Sequence, residues 1–380
     1  MVSPSLPSSS WIRRRLSRPA TDGSANIVAA EATIRTLDAA FDPSTSCDDN
    51  LASSLNNRNP EGCAYTKVQR AACATSVFVV PYFLFASPLP RAFAILAWMQ
   101  PDQQVISAWR ASAPFWEKHR EIIRQMFAPV TQALAEDGSI GRGNTVLDIA
   151  SGPGEPALTI AALVGSEGKV FGIDPAPEMV DAARRAAGYL GFRNAQFEVA
   201  SADRLPFPAD IFDAVVSRFG VMFFPSPVDG VREMLRVLKP GRKLALAVWH
   251  FAENNPFHYS LARVIERFVD SPPPPPDAPD AFRFASPGKL LVVLAEAGAM
   301  SPSERRLQFT IEASSSVEDF WILRREMSEK LREKLATLSG EQLTEVKRQA
   351  LEALNQYSTA RGMSFPAEVL IVTGTKSRQA

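Results

Sequence analysis

Residues 146–157 constrain this chain more than any other stretch. Val146, Leu147 and Ile149 form a short apolar run, which gives way after Ala150 to a turn holding Gly152 and Gly154. The pattern predicts a buried strand over 145–150, a glycine turn, and a helix over 156–164. Glycines without a Cβ let the backbone turn sharply and lie close to a ligand. The helix start behind them offers unpaired N–H groups and a partial positive charge. A turn of this kind suits a nucleotide-like ligand.

Gly152, Gly154 and Ala157 satisfy the dinucleotide spacing G-x-G-x-x-G/A, with Asp174 at about the expected distance downstream. That spacing alone is weak evidence. Asp148 lies on the strand four residues before Gly152, where a dinucleotide site asks for no acid. A carboxylate there suits a ligand with an ammonium group. On residues 146–157, together with Asp148 and Asp174, the chain resembles the class I S-adenosylmethionine-dependent methyltransferases, in particular the ubiquinone and menaquinone C-methyltransferase branch. The resemblance is good over residues 104–252 and looser beyond. It implies S-adenosyl-L-methionine as cofactor and a doubly wound, mostly parallel, seven-stranded α/β sheet (Rossmann-like) closed by an antiparallel hairpin. A nicotinamide-dependent oxidoreductase and a non-catalytic methyltransferase-like binding protein are the alternatives.

The alternation of strand and helix patterns supports a parallel sheet covered on both faces. Strands are predicted over 169–173, 196–199, 211–217 and 244–249, with helices over 175–190 and 228–238. Asp174 closes the second strand, where an acid can accept both hydroxyls of a ribose. Met179 either touches the adenine face or only packs its helix. The resemblance implies that Asp203, after the third strand, takes the adenine amino group, with Ala202 beside it. Ser151, Gly152, Gly154 and Ser217 complete the expected cofactor cradle.

The acceptor end is less defined. Ser217, Arg218 and Phe219 end the fourth strand, and Trp249 and His250 end the fifth. Arg218 either holds an anionic or enolic oxygen of the acceptor or pairs with Asp213 or Asp229 at the surface. A helix is expected over 102–133, interrupted by Pro114. Trp109 and Trp116 on it are expected as pocket walls or as plain core. Transfer of an activated methyl requires alignment and exclusion of water, so no metal is expected. A base helps only if the acceptor must lose a proton; His250 is the best-placed candidate, with His258 next. The aromatic residues point to a small lipophilic or aromatic acceptor.

Acids and bases balance at 41 each, so net charge attracts neither nucleic acid nor an acidic membrane. Cys47, Cys63 and Cys73 all precede residue 100, which argues against a disulfide scaffold or a zinc site. Residues 1–99 read as a leader with little order. Arg13, Arg14, Arg15 and Arg18 among serines, without an acid, resemble a transit segment. A cytoplasmic protein is expected, or an organellar one if that segment is a transit signal. The apolar run 77–85 is broken by Pro81 and is too short to span a bilayer. The methyltransferase domain is expected over 100–380. Helical insertions at 253–300 and 314–360, the second with two helices opening at the capping-box patterns of Ser316 and Ser339, are expected to cap the acceptor pocket. The first carries the stiff proline run 272–276.

Overall fold

The computed structural model describes residues 101–270 and 275–378. The expected leader, the apolar run 77–85 and most of the proline run lie outside the described residues. Among the described residues, no helix is long and apolar enough to cross a membrane.

β1 (Thr145–Ile149) lies at the middle of the sheet, with Val146 and Leu147 wholly buried. It pairs in parallel with β2 (Lys169–Asp174) on one side and β4 (Phe212–Arg218) on the other. β3 (Ala195–Val199) extends the sheet beyond β2, and β5 (Leu238–Trp249) beyond β4. β4 is buried along its whole length, as a parallel sheet covered on both faces requires. The connecting helices are α4 (Ala157–Val164), α5 (Pro177–Leu190) and α6 (Pro227–Val237). Gly191, at φ 77°, ends α5 in the left-handed conformation, as its position after Leu190 predicts.

Two long antiparallel strands close the sheet. β8 (Gly362–Thr375) lies between β5 and β6 (Met300–Ala313), giving the order β3-β2-β1-β4-β5-β8-β6. A two-residue strand, β7 (Ser358–Thr359), pairs only with β8 and makes an eighth strand. The order reverses between β1 and β4. The carboxyl ends of the strands at such a switch point form a crevice in which open α/β sheets bind ligands.

Three expectations need correction. The single helix expected over 102–133 is three: α1 (Pro101–Lys118), α2 (Arg120–Met126) and α3 (Ala128–Asp137). The breaks fall at His119 and Phe127, while Pro114 is tolerated inside α1. Phe127 stands two residues before Pro129, whose ring disfavours a continuous turn through it. β5 starts at Leu238 and carries the Lys239–Arg242 turn within it as a bulge, because Phe212 pairs Leu238 while Ala214 pairs Lys243. Between β6 and β7 there are three helices in place of two: α9 (Val317–Met327), α10 (Glu329–Ala336) and α11 (Gly340–Asn355). Ser316, Ser328 and Ser339 each accept a hydrogen bond from the first turn of the helix that follows, which is how one expected helix splits at Ser328. Only Ser339 forms the reciprocal capping box, with Gln342. The stretch before β6 adds α7 (Pro256–Ile265) and α8 (Lys289–Glu296).

Candidate functional site

A cavity of about 460 Å³ opens at the switch point, within the range usual for small-molecule sites. Its walls come from α1, the turns after β1 to β5, α7 and α9. One end is built from the turns after the first three strands. Gly152 lies on this wall at φ 52°, and a Cβ there would meet nothing within 4 Å, so open space borders the backbone. Gly154 has φ 107° and is needed for packing instead: a Cβ would fall 2.9 Å from the Leu158 side chain.

Asp174 joins the turns after β1 and β2. Its two oxygens accept N–H groups from Gly152 at 3.0 Å and Ala176 at 2.9 Å. This binding of Ala176 fixes an extended residue ahead of α5, so the helix begins at Pro177 rather than at Pro175. Burial raises the Asp174 carboxyl to about 6, against the pull of the two N–H donors. Asp203 is exposed on the same wall and has no hydrogen-bond partner among the described residues. Ala202 and Met179 line the cavity between them, Met179 against Trp109 and Trp116. An open glycine wall flanked by one free carboxylate and one that retains unused lone pairs fits an adenosyl ligand with its ribose and adenine donors.

The other end is aromatic. Phe219 stacks on Trp249 at 4.5 Å with the rings 1° apart, and Phe127 meets both edge-on. Phe257 lies 6.2 Å from Trp249 and 5.9 Å from Phe127. Such ring pairs contribute roughly 0.5–1.5 kcal/mol each beyond the area they bury. Trp109 meets Trp116 at 5.6 Å and Phe223 at 5.3 Å, forming a second wall. The indole N–H of Trp116 donates to the Met327 carbonyl at 3.1 Å, which ties α1 to the end of α9. Glu326 reinforces that seam through Lys118 at 2.8 Å and His119 at 2.5 Å.

Two strained residues stand where the ends meet. Ala150, just past β1, has φ 59°, and Phe219, just past β4, has φ 64°; both line the cavity. A left-handed non-glycine residue costs about 1–2 kcal/mol, and such strain concentrates at functional sites. Nothing in the sequence marks either residue as left-handed.

Several expected site residues do not reach the cavity wall. Asp148 is fully buried; one oxygen accepts the Ala157 N–H at 3.0 Å at the start of α4, and the other has no partner. Burial pushes its carboxyl well above the usual range, with Arg218 and the Ala157 N–H pulling it back. Its position thus serves the helix start rather than an exposed ammonium site. Ser151 is buried with its hydroxyl unpartnered, and the Ser217 hydroxyl donates to the Ile149 carbonyl at 2.8 Å, joining β4 to β1. His250 is turned away from the cavity, its Nδ1 3.0 Å from Glu368 on β8 and 2.8 Å from Asn254. It does not occupy the position expected of a base.

Arg218 does line the cavity, but not alone. Its guanidinium donates to the Thr131 hydroxyl at 2.8 Å and to the Glu155 carbonyl at 3.3 Å. Pairing with Asp213 or Asp229 is excluded, since Lys239 and Arg242 hold the first, and Arg232 the second. Sequence reasoning missed Glu155, Phe257 and Arg324 and placed His258 only behind His250 as a base; all four line the cavity. Burial and the nearby Arg324 charge push the His258 imidazole well below its usual range, so it is neutral at physiological pH.

Residues 146–241 match a family model described as a methyltransferase domain. The aklanonic acid methyltransferase DauC of Streptomyces sp. (strain C5) is 36% identical over 121 residues, covering 32% of this chain and 55% of that protein. The ubiquinone/menaquinone biosynthesis C-methyltransferase UbiE of Azotobacter vinelandii is 40% identical over 112 residues, covering 29% of this chain and 44% of that protein. The chain thus spans about half the length of the curated relatives it matches. The solved structure of the YcgJ protein of Bacillus subtilis superposes with a TM-score of 0.42 at 19% identity, covering 66% of this chain and 98% of that one.

Proposed function

We propose that the chain is a class I, S-adenosylmethionine-dependent methyltransferase and that the full protein methylates a small aromatic or lipophilic acceptor, a reading supported by its match to a methyltransferase domain and by its relatives. The observation that carries this reading is one continuous cavity with carboxylates and an open glycine turn at one end and stacked aromatic rings at the other. S-adenosylmethionine supplies a methyl already activated by its sulfonium. The protein's part is to bind, orient and keep water out.

Asp174 is suited to accept the ribose hydroxyls, since each of its oxygens uses only one lone pair on a backbone N–H. Asp203, free and exposed, is suited to accept from the adenine amino group. Met179 and Ala202 offer the apolar surface between them. Phe219 and Trp249 hold the acceptor's flat face, and Trp109 and Trp116 close the opposite wall. The helices α9 to α11, standing between β6 and β7, act as a lid through the Trp116–Met327 bond. The relatives' names, an aklanonic acid methyltransferase and a ubiquinone/menaquinone biosynthesis C-methyltransferase, support a small molecule rather than a polymer.

Isothermal titration of the full chain with S-adenosylhomocysteine tests this, with NADH as control. Binding of one molecule per chain and none of NADH is expected. A folded sample that takes up NADH but no S-adenosylhomocysteine would reverse the assignment.

A further inference from the structure

Arg324 is a buried charge without a counter-ion among the described residues. It sits on α9, is only 8% exposed, and lines the aromatic end of the cavity. Its neighbour Arg325 faces solvent, as an arginine on a surface helix should. Among the described residues no hydrogen-bond acceptor or carboxylate contacts the Arg324 guanidinium, and its Nε is buried without a partner. Its guanidinium carbon lies over the Phe257 ring, 3.9 Å from the ring centre. Burying a guanidinium without an acceptor is expensive, so such a group implies an anion from elsewhere.

A second orphan lies beside it. The Nε2 of His258 is buried, has no partner, and lines the same part of the cavity. His258 packs edge-on against Trp249 at 4.5 Å and Phe257 at 5.0 Å, which fixes the ring's orientation. A neutral imidazole can present an N–H from Nε2 without adding a second positive charge.

We propose that Arg324 and His258 form an oxyanion subsite that binds the carboxylate of a planar aromatic acid, which rests on the methyltransferase reading above only for calling that acid the acceptor. The planar guanidinium fork matches a carboxylate in a way that a lysine would not. The stacked rings of Phe219 and Trp249 provide the flat apolar surface for the body of the acid. Arg324 stays charged at neutral pH even though burial pulls it down to about 10. Arg218 is less suited to the role, because Thr131, the Glu155 carbonyl and the nearby Glu155 and Asp148 carboxylates already satisfy it.

The test is titration of the full chain with 2-naphthoate and its neutral isostere 2-naphthamide, with and without saturating S-adenosylhomocysteine. The acid is expected to bind at least roughly tenfold more tightly than the amide, as a charge-assisted bond warrants. Arg324→Gln should abolish that preference and leave S-adenosylhomocysteine affinity unchanged, which also reports that the variant is folded. Arg324→Lys, which keeps charge but not the fork, should retain only part of it. Equal binding of acid and amide to the unaltered chain, no binding of the acid, or a preference that survives Arg324→Gln would each overturn the subsite. A preference for the acid in a chain that ignores S-adenosylhomocysteine would uphold the subsite and sink the methyltransferase reading instead.

Discussion

The two ends of the cavity are built on different principles. The donor end uses backbone: a glycine turn, strand termini in register, and Asp174 bridging two loops through their N–H groups. The acceptor end uses side chains from distant segments, with Phe127, Phe219, Trp249, Phe257 and Arg324 meeting only in the folded state. A backbone cradle tolerates little variation, because it depends on φ angles and strand register. A side-chain box can be rebuilt by substitution while the sheet beneath stays the same. On the function proposed above, cofactor choice lies in the strand-end turns and acceptor choice in the side chains gathered around them.

The largest separation of the two ends should come from Asp174→Ala. It leaves the Gly152 and Ala176 N–H groups unpaired and removes the acceptor for a ribose, so S-adenosylhomocysteine affinity should fall about a hundredfold. Calorimetry should record that loss with 2-naphthoate binding nearly unchanged. Equal damage to both ligands would mean the ends are not separable.

A pH titration probes the same carboxylate. Its folded pKa of about 6 lies above the ordinary 3.8, mainly through burial, so charging it works against the fold. Asp174's contribution to stability is therefore fully present below about pH 4 and lost as pH rises through about 6. Binding runs the other way, because hydroxyl donors prefer the ionised form. Affinity for S-adenosylhomocysteine should decline below about pH 6, by at most roughly tenfold per pH unit, with proton release on binding in that window. A flat profile between pH 5 and 7 would remove Asp174 from the cradle.

Trp116→Phe addresses the seam over the acceptor end. It removes the indole N–H that reaches the Met327 carbonyl while keeping an aromatic ring, and should cost about 1 kcal/mol in urea unfolding. Hydrogen exchange in α9 should accelerate while exchange in β1 and β2 does not. The smallest effect is expected from Ala150→Gly. Relief of the left-handed strain at φ 59° should outweigh the added chain entropy and stabilise the fold by about 0.5–1 kcal/mol. A loss of stability instead would show that the Ala150 methyl packs better than its strain implies.

Much of the donor end was legible in the sequence. Each element there lies within a few residues of a strand end, so period and turn chemistry together locate Gly152, Asp174, Met179 and Asp203. Asp148 and Ser217 were placed one layer too far out. An acid or hydroxyl at a strand end reads the same in sequence whether it faces a ligand or, as here, ties the Ala157 N–H or the Ile149 carbonyl to the neighbouring element. The acceptor end was only half legible. Trp109, Trp116, Phe219 and Trp249 stood out by composition, but Arg324 and Arg325 are indistinguishable until tertiary packing buries one and exposes the other. His250 lost to His258 for a similar reason: β8 supplies Glu368 to hold His250, and no local pattern announces that strand's register.

The claim that one cavity holds both partners is tested most directly by a crystal structure of the full chain with S-adenosylhomocysteine. The adenosine is expected between the carboxylates of Asp174 and Asp203, with the sulfur end toward Phe219 and Trp249. Ligand bound outside this cavity, or turned so that its sulfur faces away from the aromatic rings, would contradict it.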